Sequence, residues 1–145
     1  SIIIVTYFVL GYLIKFVNKR KEIEKFCLEV KLLNEGKTCE CKGFLDTGNL
    51  LSDPITNKPV NLISYKLFRE LFNVDIADIL TKKIDMKNLK FAHYINLGTV
   101  ADSSKVLAFE IDKIVVGEKE QDKPMLALCL KNFKSYEMIL HNSFA

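Results

Sequence analysis

The first seventeen residues form an apolar block, and the rest of the chain alternates between apolar and polar positions. No charged residue occurs from Ile2 to Ile14, and the basic run Lys19-Arg20-Lys21 follows Val17. An apolar block with basic residues after it is typical of a transmembrane helix whose flank lies in the cytoplasm. The pattern predicts the end of a membrane anchor over residues 1–21 and a cytoplasmic domain over residues 22–145.

Two other interpretations of this block are open. A signal peptide carries its basic residues before the apolar stretch, whereas here they come after it. A buried helix of a soluble domain shows one apolar stripe, whereas this block is apolar all round. Because the sequence starts at Ser1 without an initiator methionine, we expect the anchoring helix to begin earlier. We also expect the protein to continue after Ala145.

After the block, alternation with a period of two predicts strands. Residues 26–45 read as a hairpin that turns at Asn34-Glu35-Gly36-Lys37. Asp53 to Pro59 is rich in turn residues, and Ser64 is placed to cap a helix over residues 65–72. Further elements are predicted at 60–63, 91–97, 105–109, 111–116, 125–130 and 137–140 (strands) and near 76–80 (a short helix). So many short strands indicate a mainly β domain, closed or sandwich-like.

Composition narrows the class of protein. The 145 residues are 49% hydrophobic, enough for one core, and the net charge of +3 is spread over interspersed basic and acidic residues. We therefore predict no nucleic-acid partner. The four cysteines, Cys27, Cys39, Cys41 and Cys129, match no disulfide framework or zinc pattern, so we expect small, buried free thiols and no metal or cofactor.

Residues 44–49, FLDTGN, place an ionisable group at the end of an apolar run. Gly48 allows the backbone to turn its amides toward the carboxylate of Asp46, and Thr47 adds a hydroxyl. If a second such loop faced the first, the two carboxyls would share one proton. One carboxyl could then activate water while the other protonated a carbonyl, which hydrolyses a peptide bond without a covalent intermediate. The alternative is an ordinary turn after a strand.

Three features together resemble the sporulation sigma-E factor processing peptidases of endospore-forming bacteria. They are LDTGNLLSDPITNKPV (residues 45–60), the apolar block with its basic flank, and the closing MILH (residues 138–141). FLDTGN itself resembles the active-site loop of retropepsin-like aspartic proteases. The resemblance covers essentially the whole chain. It implies a retropepsin-like acid protease barrel with one or two short helices, anchored in the cell membrane.

The resemblance also implies an activity and a cellular location. The domain would remove the N-terminal pro-segment of a sigma-factor precursor, pro-sigma-E, in the cytoplasm of the mother cell. An activating protein would act from the other side of the membrane. Asp46 matches the catalytic aspartate, Thr47 and Gly48 match the residues that brace it, and Asn49 follows in the loop.

Two further positions follow from order along the chain. Gly98, Thr99 and Val100 fall where such proteases place the flap that closes over substrate. His141 replaces a glycine that usually follows two apolar residues beneath the active loop, and we expect a structural role for it. Asn49 departs from the alanine of viral relatives, and is expected to hydrogen-bond either substrate or the turn.

The number of aspartate loops predicts the oligomeric state. The mechanism needs two aspartates, whereas the chain has one Asp-Thr-Gly, and Asp102-Ser103-Ser104 lacks the glycine. A homodimer that contributes Asp46 from each protomer is therefore expected. Two rival functions are a catalytically inactive, membrane-tethered protein-binding domain of this fold, and a subunit of a larger membrane assembly that docks a partner by strand addition.

Overall fold

The computed structural model describes residues 1–75, 77–78, 81, 88–97, 104–131 and 133–145. It begins with helix α1 (Ile2–Phe26), none of whose residues is buried against the rest of the protein. By length and composition α1 can cross a membrane, with a mean hydropathy of 1.6 over its most apolar stretch. It continues past the basic residues to Phe26. An apolar helix of this length that is covered by nothing else indicates a membrane anchor.

The domain after α1 is mainly β, as predicted. One mixed nine-stranded sheet has the order β4-β5-β8-β3-β9-β2-β1-β6-β7. Helix α2 (Tyr65–Phe72) follows β3, and a 3₁₀ turn (Asn142–Phe144) follows β9. The strands are β1 (Cys27–Asn34), β2 (Lys37–Leu45), β3 (Val60–Ser64), β4 (Lys90–Leu97), β5 (Ser104–Glu110), β6 (Lys113–Val116), β7 (Lys119–Asp122), β8 (Met125–Cys129) and β9 (Met138–Leu140).

The predicted hairpin is formed by β1 and β2, which pair antiparallel along their whole length. Val30 and Leu32 point into the core, as their alternation requires. Glu35 and Gly36 both have positive φ, of 50° and 77°. A two-residue turn of this kind matches the right-handed twist of the strands and fixes their register.

The strand that leads to Asp46 is hydrogen-bonded on both sides. β1 pairs with one edge of β2, and β9 pairs parallel with the other, with Leu45 opposite Leu140. β9 also pairs antiparallel with β3. After β3, the Ser64 hydroxyl accepts the Leu67 N–H at 3.3 Å and caps α2, as predicted. The end of β2 is therefore held by its neighbouring strands, independently of the contacts within the loop.

The core is aliphatic and aromatic and lies between the sheet and α2. Phe68 of α2 packs edge-on against Phe109 of β5, with ring centroids 5.4 Å apart. The fully buried large side chains are Val30, Leu32, Ile63, Leu67, Phe68, Phe109, Ile111, Ile114, Met125, Leu126, Met138 and Leu140. Because β1, β2 and β9 contribute Val30, Cys41 and Leu140 to the same buried cluster, packing also holds the strands that carry the candidate loop.

Gly43 lies where β1 and β9 approach β2 most closely. A Cβ at this position would lie 2.8 Å from Val30 Cγ2 and 3.0 Å from Leu140 Cγ. We expect Gly43→Ala to lower the free energy of unfolding by about 1–3 kcal/mol, because the core must shift to admit one methyl group. Urea titration of the purified protein measures the loss. In a Val30→Ala background the same change should cost less, and an equal cost would contradict the contact.

The structure contains one strand that was not predicted, and two predicted features lie partly or wholly outside the described residues. β7 was not predicted, because its residues KEQD show no apolar alternation and it is an edge strand. The short helix near 76–80 falls partly outside the described residues. Gly98, Thr99 and Val100 lie outside them as well, although β4 and β5 pair antiparallel on either side of that stretch, with Leu97 opposite Ser104.

Candidate active site

Asp46 lies directly after β2 and is half-buried. The N–H of Gly48 donates to its Oδ1 at 2.9 Å, and the N–H of Asn49 donates to its backbone carbonyl at 3.0 Å. A Cβ on Gly48 would lie 3.2 Å from the same carboxylate oxygen, closer than most such contacts. The glycine thus lets the backbone amide approach the carboxylate, as its place in FLDTGN predicted. The loop holds one carboxylate in a fixed direction.

The outer side of this loop is open in a single chain. Thr47 and Gly48 are exposed, and the apolar side chain of Leu50 is 68% exposed. Single exposed apolar side chains are common on protein surfaces. These residues show that the outer side of the Asp46 loop is accessible.

Asn49 fastens the loop to two other parts of the domain. Its side-chain Nδ2 donates to the Val60 carbonyl at 3.3 Å, and its Oδ1 accepts the Leu51 N–H at 3.1 Å. Its own carbonyl accepts the N–H of Asn142 at 2.9 Å. Of the two roles expected for Asn49, the structure shows the bonds within the protein.

His141 lies at the end of β9, one residue from that contact. Its backbone N–H donates to Asn61 Oδ1 at 2.7 Å, and its Nδ1 accepts the N–H of Ser143 at 3.0 Å, which caps the 3₁₀ turn. Burial lowers the pKa of the imidazole, and a bond to the Leu50 carbonyl opposes part of that effect. These contacts are those of a structural residue beside the loop.

A row of four aromatic side chains runs past the strand that carries Asp46. Phe44 stacks on Tyr136 with centroids 5.1 Å apart, and Tyr136 stacks on Phe133 at 5.3 Å. Phe26, the last residue of α1, meets Phe44 edge-on at 6.4 Å. Burial raises the pKa of the Tyr136 phenol, and negative charge at Cys27 and Asp46 adds to the rise. Tyr136 is therefore a neutral neighbour of the candidate carboxylate that no sequence motif indicated.

An ion pair between Asp53 and His93, which was not predicted from the sequence, lies at the loop that follows the candidate site. Asp53 is fully buried and accepts the N–H groups of Ile55 and Thr56, the Thr56 hydroxyl, and His93 Nε2 at 2.7 Å. His93 Nδ1 lies 2.7 Å from the Phe91 carbonyl. Because a carbonyl and a carboxylate only accept, both ring nitrogens must carry hydrogens and His93 is an imidazolium.

Both members of this pair have shifted pKa values. Burial alone would raise the pKa of Asp53, but the hydrogen bonds from Thr56, His93 and Ile55 outweigh it and lower the pKa. Burial would likewise lower the pKa of His93, but the bonds to Asp53 and to the Phe91 carbonyl raise it. The pair joins β4 to the loop that follows the candidate site. The turn around Asp53 was predicted from its turn-forming residues, but no local pattern pointed to His93, which is 40 residues away.

Three of the four cysteines are unsuited to act as a nucleophile. All four are free thiols, and burial, followed by nearby acidic groups such as Glu137, raises the pKa of Cys41 to about 12. Burial also raises the pKa of Cys27 and Cys39. A nucleophilic cysteine needs a lowered pKa, so these three thiols are inert at neutral pH.

The chain resembles a known protein family along nearly its whole length. The family model Peptidase_U4, described as sporulation factor SpoIIGA, matches residues 1–144. A probable sporulation sigma-E factor-processing peptidase of Clostridium acetobutylicum is 34% identical over 61 residues. That match covers 42% of this chain and 23% of the relative, so the chain spans well under two thirds of the relative it matches.

Proposed function

Because this chain belongs to the family of sporulation factor SpoIIGA, we propose that it is a membrane-anchored aspartic endopeptidase that processes a sporulation sigma-factor precursor. The name of the Clostridium acetobutylicum relative supports a peptidase that processes a sporulation sigma factor. One observation supports the aspartic mechanism in particular. The carboxylate of Asp46, held by the Gly48 N–H at 2.9 Å, lies at the end of a strand that is paired on both sides.

The proposed mechanism uses two copies of Asp46, one from each protomer of a homodimer. Two carboxyls that face each other across the dimer would share one proton, because both cannot ionise cheaply. The ionised carboxylate takes a proton from a water molecule as the oxygen attacks the scissile carbonyl. The protonated carboxyl gives its proton to the carbonyl oxygen, and the resulting diol collapses with proton transfer to the leaving amine. No covalent bond to the enzyme forms.

Three features of the single chain support the dimer. Thr47 and Gly48 are exposed beside Asp46, so the loop can contact a facing copy. Leu50 is 68% exposed at the same place and would lose that exposure on pairing. β4 and β5 run antiparallel toward Gly98, Thr99 and Val100, which is the arrangement that a flap over the substrate requires. The retropepsin-like assembly is proposed on these grounds.

The same proposal assigns α1 the role of a membrane anchor. α1 anchors the domain in the cell membrane, with residues 1–21 as anchor and basic flank and residues 22–145 as the catalytic domain. The basic run Lys19-Arg20-Lys21 favours a cytoplasmic position for the domain, which for a sporulation factor is the mother cell. Confinement to a membrane raises the effective concentration of protomers and favours pairing. An activating protein on the other side of the membrane would act through the anchor.

A mixing experiment tests the two-protomer site. Wild-type and Asp46→Asn proteins are produced in equal amounts in one cell with the sigma-factor precursor. Random pairing leaves about a quarter of the dimers with two aspartates. Precursor processing should therefore fall to about a quarter of the level in cells that make the same total amount of protein, all of it wild type.

The control mixture replaces the mutant with Asp75→Asn, a change at an exposed aspartate away from β2, and processing should stay at the wild-type level. If each chain acted alone, the Asp46→Asn mixture would retain about half of the processing. That outcome would exclude the shared site while leaving a role for Asp46.

A further inference from the structure

The residues around His141 form a closed ring of hydrogen bonds beside the active-site loop. Asn61 Nδ2 donates to Gln121 Oε1 at 3.1 Å, and Gln121 Nε2 donates to Ser143 Oγ at 2.6 Å. Ser143 Oγ lies 3.0 Å from His141 Nδ1, and the His141 backbone N–H returns to Asn61 Oδ1 at 2.7 Å. Asn61 is fully buried. The ring joins β3, β7, the end of β9 and the 3₁₀ turn.

Two backbone N–H groups fix the direction of every bond in the ring. The His141 N–H can only donate, so Asn61 Oδ1 must face it and Asn61 Nδ2 must face Gln121. Gln121 then accepts with its oxygen and donates with its nitrogen to Ser143 Oγ. The Ser143 N–H donates to His141 Nδ1 at 3.0 Å, so this nitrogen carries no hydrogen. The Ser143 hydroxyl can then only donate to it.

The ring is joined to the candidate site on both sides of His141. Leu140, the preceding residue, pairs with Leu45, which comes directly before Asp46. Asn142, the following residue, donates its N–H to the Asn49 carbonyl at 2.9 Å. Asn49 in turn donates its N–H to the Asp46 carbonyl at 3.0 Å. A movement of His141 would therefore reach both ends of the Asp46 loop.

We propose that His141 is a positioning residue of the active site, and that its neutral imidazole closes the ring that holds Asn142 against the Asn49 carbonyl. The inference rests on the proposed function, since it assigns His141 a part in cleavage at Asp46. A proton on Nδ1 would place a second N–H against the Ser143 N–H, so the cap and the ring would open together. Acid would then loosen the loop that holds Asp46.

The surroundings of His141 favour the neutral form. Burial keeps the pKa of the imidazole below its ordinary value, with the Leu50 carbonyl acting in the opposite direction. Charged residues on the elements packed around it are Asp46 in the active loop and Lys119, Glu120 and Asp122 on β7. Among the residues that the structure describes, none of these carboxylates forms an ion pair with His141.

Two substitutions separate the positioning role from a merely structural one. His141→Ala removes the acceptor, and we expect kcat/KM at neutral pH to fall about tenfold, because a loosened loop misplaces Asp46. His141→Asn keeps an acceptor that never takes up a proton and is a good cap, so kcat/KM should stay within about twofold of wild type. Cleavage of a recombinant sigma-factor precursor by the purified full-length protein in detergent measures both.

The pH profile gives the decisive comparison. From about pH 7 down to about pH 5, wild type should lose activity more steeply than His141→Asn, because only wild type protonates at this position. Identical acid limbs for the two proteins would overturn the positioning role. This comparison also decides the matter if His141→Ala does not fold, which thermal melting would show.

The Asp46→Asn protein in the same assay distinguishes failure of the role proposed for His141 from failure of the proposed aspartic mechanism. Equal acid limbs together with an inactive Asp46→Asn protein would remove only the role of His141. Cleavage by the Asp46→Asn protein would overturn the proposed aspartic mechanism, and the positioning role with it.

Discussion

Asp46→Asn is expected to abolish processing of the sigma-factor precursor, with a fall of at least about 10³-fold, because it removes both the general base and the general acid of the paired site. The amide has nearly the shape of the carboxylate, and its oxygen can still accept the Gly48 N–H that lies 2.9 Å from Oδ1. The loop should therefore keep its conformation while losing its proton chemistry. Accumulation of uncleaved precursor, followed by immunoblot in sporulating cells, measures the loss.

Asp75→Asn serves as the matched control, since it makes the same chemical change at an exposed position. Its processing should equal that of wild type, and the amounts of both mutant proteins in the membrane should be unchanged. Continued processing by the Asp46→Asn protein at a normal level would remove the aspartic mechanism. It would favour a binding domain of this fold, in which Asp46 is a turn residue.

The second large effect is expected on stability, at the buried pair of Asp53 and His93. Asp53→Ala should lower the free energy of unfolding by about 3–5 kcal/mol, because it leaves a partly buried imidazolium and two backbone N–H groups without their acceptor. Asp112→Ala is the matched control. Its carboxylate also lies 2.7 Å from a cation, Lys90, but both side chains are more than 40% exposed. An exposed pair contributes little, so the control should lose far less.

The pH dependence of this loss has a defined sign. The folded pKa of His93 lies above its ordinary value of 6.5, so its contribution is complete below pH 6.5 and is lost as the pH rises through the folded pKa. The folded pKa of Asp53 lies below 3.8, so its contribution is present above pH 3.8 and is lost as the pH falls through the folded pKa.

Urea titrations across this range test both statements. The difference in unfolding free energy between wild type and Asp53→Ala should be largest between those two values and should shrink at higher pH. A difference that did not change with pH would mean that His93 is not charged in the folded protein.

Local chemistry made much of the fold predictable. The hairpin of β1 and β2 follows from alternating side chains and from Glu35-Gly36, which accept positive φ. The cap at Ser64 and the place of Asp46 after an apolar strand also depend on neighbouring residues alone. Each of these features is decided within a few residues of chain, and a single sequence contains that information.

The features that escaped prediction depend on residues far apart in sequence. β9 lies between β2 and β3 because both have free edges there, which no local pattern encodes. His93 joins Asp53 from 40 residues away. β7 has only polar side chains, so it is a strand because β6 offers it an edge. The role of His141 required the same kind of knowledge, since its partner Asn61 is 80 residues distant.

The position of β9 has a consequence for the order of events during synthesis. The β1–β2 hairpin can form as soon as it leaves the ribosome, because its contacts are local. The other edge of β2 stays unpaired until Met138–Leu140 has emerged and entered between β2 and β3. Until then the nascent chain carries Asp46 on an incompletely paired strand. The loop that holds Asp46 therefore reaches its final support only after Met138–Leu140 has been translated.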